Sequence, residues 1–408
     1  MRISTVQMQQ IALNSMLDQQ TKLSKTQNQV ASGQRLLTPA DDPIASTAAL
    51  DLHQMVAVTE QQQRAADAVK ARLGLEDATL SSVSDVLQRV RELAVQTGNT
   101  TLTNEDRRAV GAEVLQSIES LLGLANTSDN NGDYLFAGYQ GATKPFASNS
   151  SGGFSYFGDD GQRRVQVGSA QSVADSDAGS AVFRNIKNGN GTFQTAEAGN
   201  TGGGANRGGA VINSGTVSGT FVPETYTLTF TGSPPASTYT VTNSAATVIA
   251  GPAVYSSGAD IDLSTVGIKT TITGSPANGD RFVISPSSNQ DVFQTVKNFA
   301  DALQQGFSNS ASQAVYEKTI KQTLTNLDQA LSNVVNTRVQ VGARINTVDQ
   351  QVTSNESYLG QLHETLASLE GLDYAEAISR LNLQTAALQA AQQSFVRIQG
   401  LSLFNYLR

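Results

Sequence analysis

A chain of 408 residues has room for two or three domains and a sizeable core, and with 39% hydrophobic, 15% charged and no Trp residues it is rich in Gln, Asn, Ser and Thr. A formal net charge of -8, with no Lys/Arg cluster interleaved with aromatics, argues against a nucleic-acid partner, and the absence of cysteine removes disulfides, thiolate metal sites and thiol catalysis. No apolar run approaches bilayer length, so no membrane partner is expected, and Met1 to Gln10 lacks the apolar stretch of a secretory signal, so an exported chain would leave without a cleaved signal peptide.

Helix breakers divide the chain. Of 35 glycines, 25 lie between Asn130 and Gln290, as do seven of the nine prolines, so the flanks are expected to be helical and the middle is not. Residues 1–42 form an N-terminal helical assembly segment that ends at Pro39, Asp41, Asp42 and Pro43, with Asp42 as N-cap and Pro43 as first residue of the next helix. That helix, Ile44 to Thr97, carries a seam of alternating steps of four and three: Ala48, Leu52, Met55, Thr59, Gln62, Ala66, Val69, Leu73, Glu76, Leu80, Val83, Leu87, Val90 and Ala94. After the Thr-Gly-Asn-Thr-Thr break, a shorter helix from Asn104 to Ala125 folds back on it. Residues 43–174 are read as the first part of a rod domain.

An inserted β-rich surface domain, residues 175–290, is expected next. Strand patterns fall at Phe154 to Phe157 and Val165 to Val167 on the approach to it, then at Thr225 to Thr231, Tyr239 to Thr242, Ile268 to Thr273 and Phe282 to Ser285. Asn185 to Gly209, dense in Gly and Asn, reads as a flexible loop. Residues 291–370 complete the rod with a helix from Gln313 to Leu369 whose seam runs Ile320, Leu324, Leu327, Leu331, Val334, Arg338, Val341, Ile345, Val348, Val352, Asn355, Leu359, Leu362, Leu366 and Leu369. The two long helices would each measure about 80 Å and are expected to pair. Gly371 and Asp373 then set off a C-terminal helical assembly segment, residues 371–408. The fold class is therefore mainly α with an inserted β-rich domain, the long N- and C-terminal helices paired as a coiled-coil rod.

Catalytic chemistry is not legible. His53 and His363 are the only histidines, and neither has metal-ligand neighbours at a suitable spacing. No nucleophile elbow, zinc-protease helix or phosphate loop is present, and Gly189-Asn190-Gly191 is followed by Gln194 where a dinucleotide loop needs glycine. Asp41 and Asp42 suit a helix start, Asp159-Asp160-Gly161 suits a turn, and Tyr156 and Phe157 suit packing on a sheet face. No enzyme activity, cofactor or metal is expected.

The ends carry a family resemblance. Ser32-Gly33-Gln34-Arg35-Leu36-Leu37-Thr38-Pro39-Ala40-Asp41-Asp42-Pro43 resembles the signature of the flagellin superfamily, and Leu388 to Phe395 and Leu401 to Arg408 are similar to flagellin-like C-termini. Met1 to Thr5, Asp133 to Gly138, Pro145-Phe146 and Tyr156 to Asp159 resemble the hook-associated protein 3 group within it. The resemblance implies a structural subunit of the bacterial flagellum, extracellular, passed by a flagellar export chaperone to the type III export apparatus, and joining hook-associated protein 1 to the flagellin filament. Filament flagellin is the alternative within the superfamily, and a coiled-coil adhesin the alternative outside it.

The terminal segments have narrow apolar stripes and few partners within one chain. Leu13, Leu17, Leu23, Val30, Leu381, Leu388, Phe395 and Ile398 are therefore expected to form an assembly interface, ordered when neighbouring copies bury them.

Overall fold

In a computed structural model of the chain, residues 5–99, 102–149, 152–232, 236–308 and 310–400 are described, apart from the side chains of 5, 6, 8, 9, 310, 311, 314 and 398–400. Met1 to Ser4 and Leu401 to Arg408 of the terminal motifs, and the Ile398 side chain, thus lie outside the described residues. The chain forms two compact units: one takes in residues up to Ala65, Val167–Ser169 and those from Gln350 onward, the other Ala66–Gln166 and Ala170–Asp349.

Three helices come first: α1 (Thr5–Ser32), α2 (Pro43–Thr97) and α3 (Asn104–Ala125). Pro43 is the first residue of α2, and Asp42 Oδ1 accepts the Ala45 N–H at 3.1 Å, so the expected cap is present. At the start of α3, Thr103 and Asp106 form a capping box. From Thr59 to Ala94 every residue of the α2 seam is buried or half-buried. Its first half differs. Ala45, Ala49 and Val56 are buried there, the seam residues Ala48 and Leu52 are half-buried, and Met55 is exposed.

Two short hairpins follow, β1 (Phe146–Ser148) with β2 (Phe154–Tyr156) and β3 (Arg164–Gln166) with β4 (Ser172–Ala174). Tyr156 packs on Phe146 with ring centroids 4.9 Å apart. Phe157 lies beyond the strand end and is exposed, contrary to the sheet-face packing expected of it. A π-helical turn, Ser180–Arg184, brings Phe183 against Phe136 and Phe146.

The inserted β structure begins at β5 (Ile186–Lys187) and β6 (Phe193–Asn200), then β7 (Val211–Ile212), β8 (Thr216–Val217), β9 (Tyr226–Thr231), β10 (Thr238–Thr242), β11 (Val248–Val254), β12 (Asp260–Leu263), β13 (Ile268–Thr273), β14 (Asp280–Pro286) and β15 (Asn289–Gln290). A five-stranded antiparallel sheet has the order β11-β10-β9-β14-β6, a second has β12-β13-β7, and β5 pairs with β15 at the neck. Phe193, Tyr226, Leu228, Phe230, Phe282 and Ile284 lie in their common core. The flexible loop expected at Asn185 to Gly209 is corrected here, since β6 runs beside β14 as an edge strand. Its glycines stand at its ends, where they permit turns, while Phe193 anchors it in the core.

Helix α4 (Val292–Gln305) was not anticipated from the sequence, although Asp291 caps it and Val292, Phe293, Val296, Phe299, Ala300 and Leu303 form a buried helical stripe. It packs on α3. Helix α5 (Ser310–Glu370) carries the long seam, and all fifteen seam residues are buried or half-buried. One heptad position is buried from Ile320 through Leu327, Val334, Val341, Val348 and Asn355 to Leu362, and half-buried at Leu369. The polar interruptions have partners: Arg338 binds Asp77 at 2.9 Å, and Asn355 donates to the Val167 carbonyl at 3.0 Å. Within one unit His53 meets Glu370. Within the other Lys70 meets Asp349 and Arg91 meets Asp328, so the numbers fall on α5 as they rise on α2 and the helices run antiparallel. Helix α6 (Tyr374–Gly400) ends the described chain.

Candidate assembly surface

Helix α1 contains neither Gly nor Pro, and it ends at Gly33, whose φ of +71° is a left-handed C-terminal conformation. The backbone conformation thus favours glycine at this position of the signature, and a Cβ there would also displace the Tyr374 hydroxyl, 2.7 Å away. Gln34 bridges to Gly371, the Arg35 N–H donates to Glu370 O at 2.7 Å, and Arg35 Nη2 donates to Leu369 O at 2.9 Å. Arg35 thus satisfies carbonyls at the negative end of α5. Buried Gln29 closes the turn by donating to Arg35 O at 2.7 Å.

The two aspartates of the signature have different work. Asp42 caps α2. Asp41 Oδ2 accepts the N–H groups of Leu37 and Thr38, and its other oxygen meets Lys25, so hydrogen bonding by Lys25 and then Thr38 lowers its pKa from 3.8 to about 2. Asp373 repeats the capping device at α6, accepting from Ala375 and Glu376.

α1 and α6 lie against each other within one chain, where the sequence placed their pairing at assembly. Each has a stripe of buried or half-buried residues in steps of four and three: Ala12, Met16, Gln19, Leu23, Thr26 and Val30 on α1, and Ala377, Leu381, Gln384, Leu388, Ala391 and Phe395 on α6. Leu23, Val30, Leu381, Leu388 and Phe395, named from the sequence as interface residues, belong to these stripes. Leu13 and Leu17 do not. They are 42% and 49% exposed and are joined off the stripes by Ile11 on α1 and by Ile378, Leu383 and Val396 on α6, residues the sequence reading passed over. Leu383 is 71% exposed. Among the described residues, twelve of the 23 exposed large apolar side chains belong to the smaller unit. A surface this apolar on so few residues is suited to contact with protein.

Chemistry finds no comparable site. His53 faces Glu370, His363 is exposed, and Asp159 Oδ1 accepts from the backbone of Tyr139 and Gly161 in a turn. Among the described residues no group of His, Asp and Glu is placed to hold a metal, and no helix is long and apolar enough to cross a membrane.

Comparison with known proteins agrees with the terminal helices. Residues 3–141 match the bacterial flagellin N-terminal helical region and residues 324–407 the C-terminal helical region. Flagellar hook-associated protein 3 of Escherichia coli K12 is 25% identical over 405 residues, 99% of each chain. The crystal structure of flagellar hook-associated protein 3 from Legionella pneumophila is 32% identical, with a TM-score of 0.72 over 78% of this chain and 98% of that one. FlgL of Xanthomonas campestris is 31% identical, with a TM-score of 0.70 over 78% of this chain and 99% of that one. The chain belongs to the flagellar hook-associated protein 3 family of flagellin-like proteins.

Proposed function

We propose that this protein is a structural, non-enzymatic subunit of the bacterial flagellum at the hook-filament junction, joining hook-associated protein 1 on one side to filament flagellin on the other. The observation that carries the reading is the unpartnered apolar set on the α1/α6 pair, in a chain whose family is named for the hook. Copies of the chain associate through this pair. Leu13, Leu17, Ile378 and Leu383 contribute outward contacts, and the stripe through Leu23, Val30, Leu381, Leu388 and Phe395 holds the pair in shape. The subunit reaches the cell exterior through the type III export apparatus with its chaperone. Residues 43–174 and 291–370 form its supporting domain, and 175–290 its surface domain.

Deletion of the gene tests this reading. Hooks without filaments, and flagellin shed into the medium, are expected. Normal filaments on the deletion strain would overturn the junction role, and long filaments grown from the purified protein alone would make it a filament flagellin.

A further inference from the structure

Glu76 sits in the α2 seam with no exposed surface. Its Oε1 accepts the Asp177 N–H at 3.0 Å, and its Oε2 is buried with no hydrogen-bond partner. The cations around it are paired with aspartates, although the buried Arg72 Nε keeps no hydrogen-bond partner. On α2 itself, Arg72 lies against Asp129 and 3.8 Å from Asp175. From α5, Arg344 grips Asp177 through contacts of 2.8 and 3.0 Å, and Arg338 holds Asp77, the next residue along α2. From the chain before β3, Arg163 binds Asp175 at 2.5 Å and stands 3.7 Å from Asp133, while Gln162 donates to Asp177 at 2.6 Å. Each aspartate in the cluster has a guanidinium, and Glu76 is the carboxyl group left without one. A lone carboxylate in so dry a place would be costly, and a neutral acid much less so.

We propose that Glu76 is held as the neutral acid and serves as a pH-sensitive latch, fastening the Asp175 to Asp177 segment onto the two long helices. This segment leads the chain from β4 into the π-helical turn at the base of the inserted sheets. Protonated, Glu76 accepts the Asp177 N–H without repelling the Asp177 carboxylate beside it. Ionised, it sets a second negative charge against Asp177 that Arg344 and Arg72, both already paired with aspartates, offset only in part, and opening the segment to water relieves the repulsion. Burial, and then the charge of Asp177, push the Glu76 carboxyl up to about 8, against the Asp177 N–H and the charges of Arg344 and Arg72. Because the folded-state value is raised, the stabilisation is full below the ordinary carboxylate range and is lost as pH rises through about 8.

Urea denaturation of the full chain from pH 5 to 9, for wild type and Glu76→Gln, tests the latch. One proton taken up on folding predicts that the wild-type folding constant falls by up to about tenfold per pH unit across this window. Glu76→Gln, neutral at every pH, should lack that component, and an equal slope in both proteins overturns the proposal. Should Glu76→Gln fail to fold, wild-type protein alone decides by infrared spectroscopy and hydrogen exchange. A buried protonated carboxyl band present at pH 6 and lost by pH 10, with faster intrinsic-rate-corrected exchange at the Asp177 amide, supports the latch. A missing band at pH 6, or unchanged Asp177 protection, overturns it.

Discussion

Asp41 shows how one side chain fixes the turn between α1 and α2. It accepts from Leu37 and Thr38 within the signature and pairs with Lys25 on α1, which ties the signature turn back to the helix before it. Its lowered pKa gives a signed expectation. The contribution is present above 3.8 and is lost as pH falls toward about 2. Asp41→Asn is therefore expected to be less stable than wild type at pH 7, with the gap closing between pH 4 and pH 2. Thermal melting across that range checks it, and a gap that stays constant would show that the carboxylate charge has no part in the turn. The capping role of Asp42 was legible from its place before Pro43. The separate role of Asp41 was not, because Lys25 lies sixteen residues earlier, back on α1, and only the fold brings it near.

At the scale of elements, the seam of α5 was legible in full because a heptad pattern sustained over the whole helix has no competing period. What the pattern could not convey is the inequality of its two positions: Leu327 is fully buried while Leu331 keeps part of its surface. Leu327→Asp is expected to cost about 4 kcal/mol, Leu331→Asp roughly half as much, and Val339→Asp, at an apolar but exposed position, under about 0.5 kcal/mol. Urea midpoints rank the three, and equal costs for Leu327 and Leu331 would contradict the packing described. In the first half of the α2 seam only Met55 departs from the expected face, and the adjacent Ala48 and Ala49 both fit the spacing. Packing of Ala49 and Val56 with Leu362 and Leu366 decides the register, and that is a long-range fact. Strand β6 was hidden because Thr, Ala, Glu and Gly dilute its alternation, and α4 because a helix of fourteen residues follows directly on strand-rich sequence.

For the larger unit as a whole, the inserted sheets form a core of their own above the neck made by β5 and β15, where the Asn188 N–H donates to Ser288 O at 3.0 Å. Below the neck, Phe183 belongs with Phe136, Phe146 and Phe293. Replacing Asn190 to Pro286 by a short Gly/Ser turn should therefore leave a soluble, helical protein with one cooperative transition in circular dichroism. Loss of cooperativity would mean that the sheets supply part of the helical core. The assembly surface was only partly legible. The terminal stripes were visible as periodicity, but their burial by each other within one chain was not. Identifying the outward set, with Leu383 at its most exposed, required knowing which face of α6 meets α1.

The central claim is that the outward apolar face of the α1/α6 pair, separate from the contacts that fold the subunit, carries assembly. Filaments counted by electron microscopy on a deletion strain supplied with either wild type or Leu13→Asp/Leu17→Asp/Leu383→Asp test it most directly. The exposed positions predict a variant that melts within a few degrees of wild type. It should be exported and leave hooks bare, whereas wild type restores filaments. A variant that restores filaments to wild-type numbers would contradict the account.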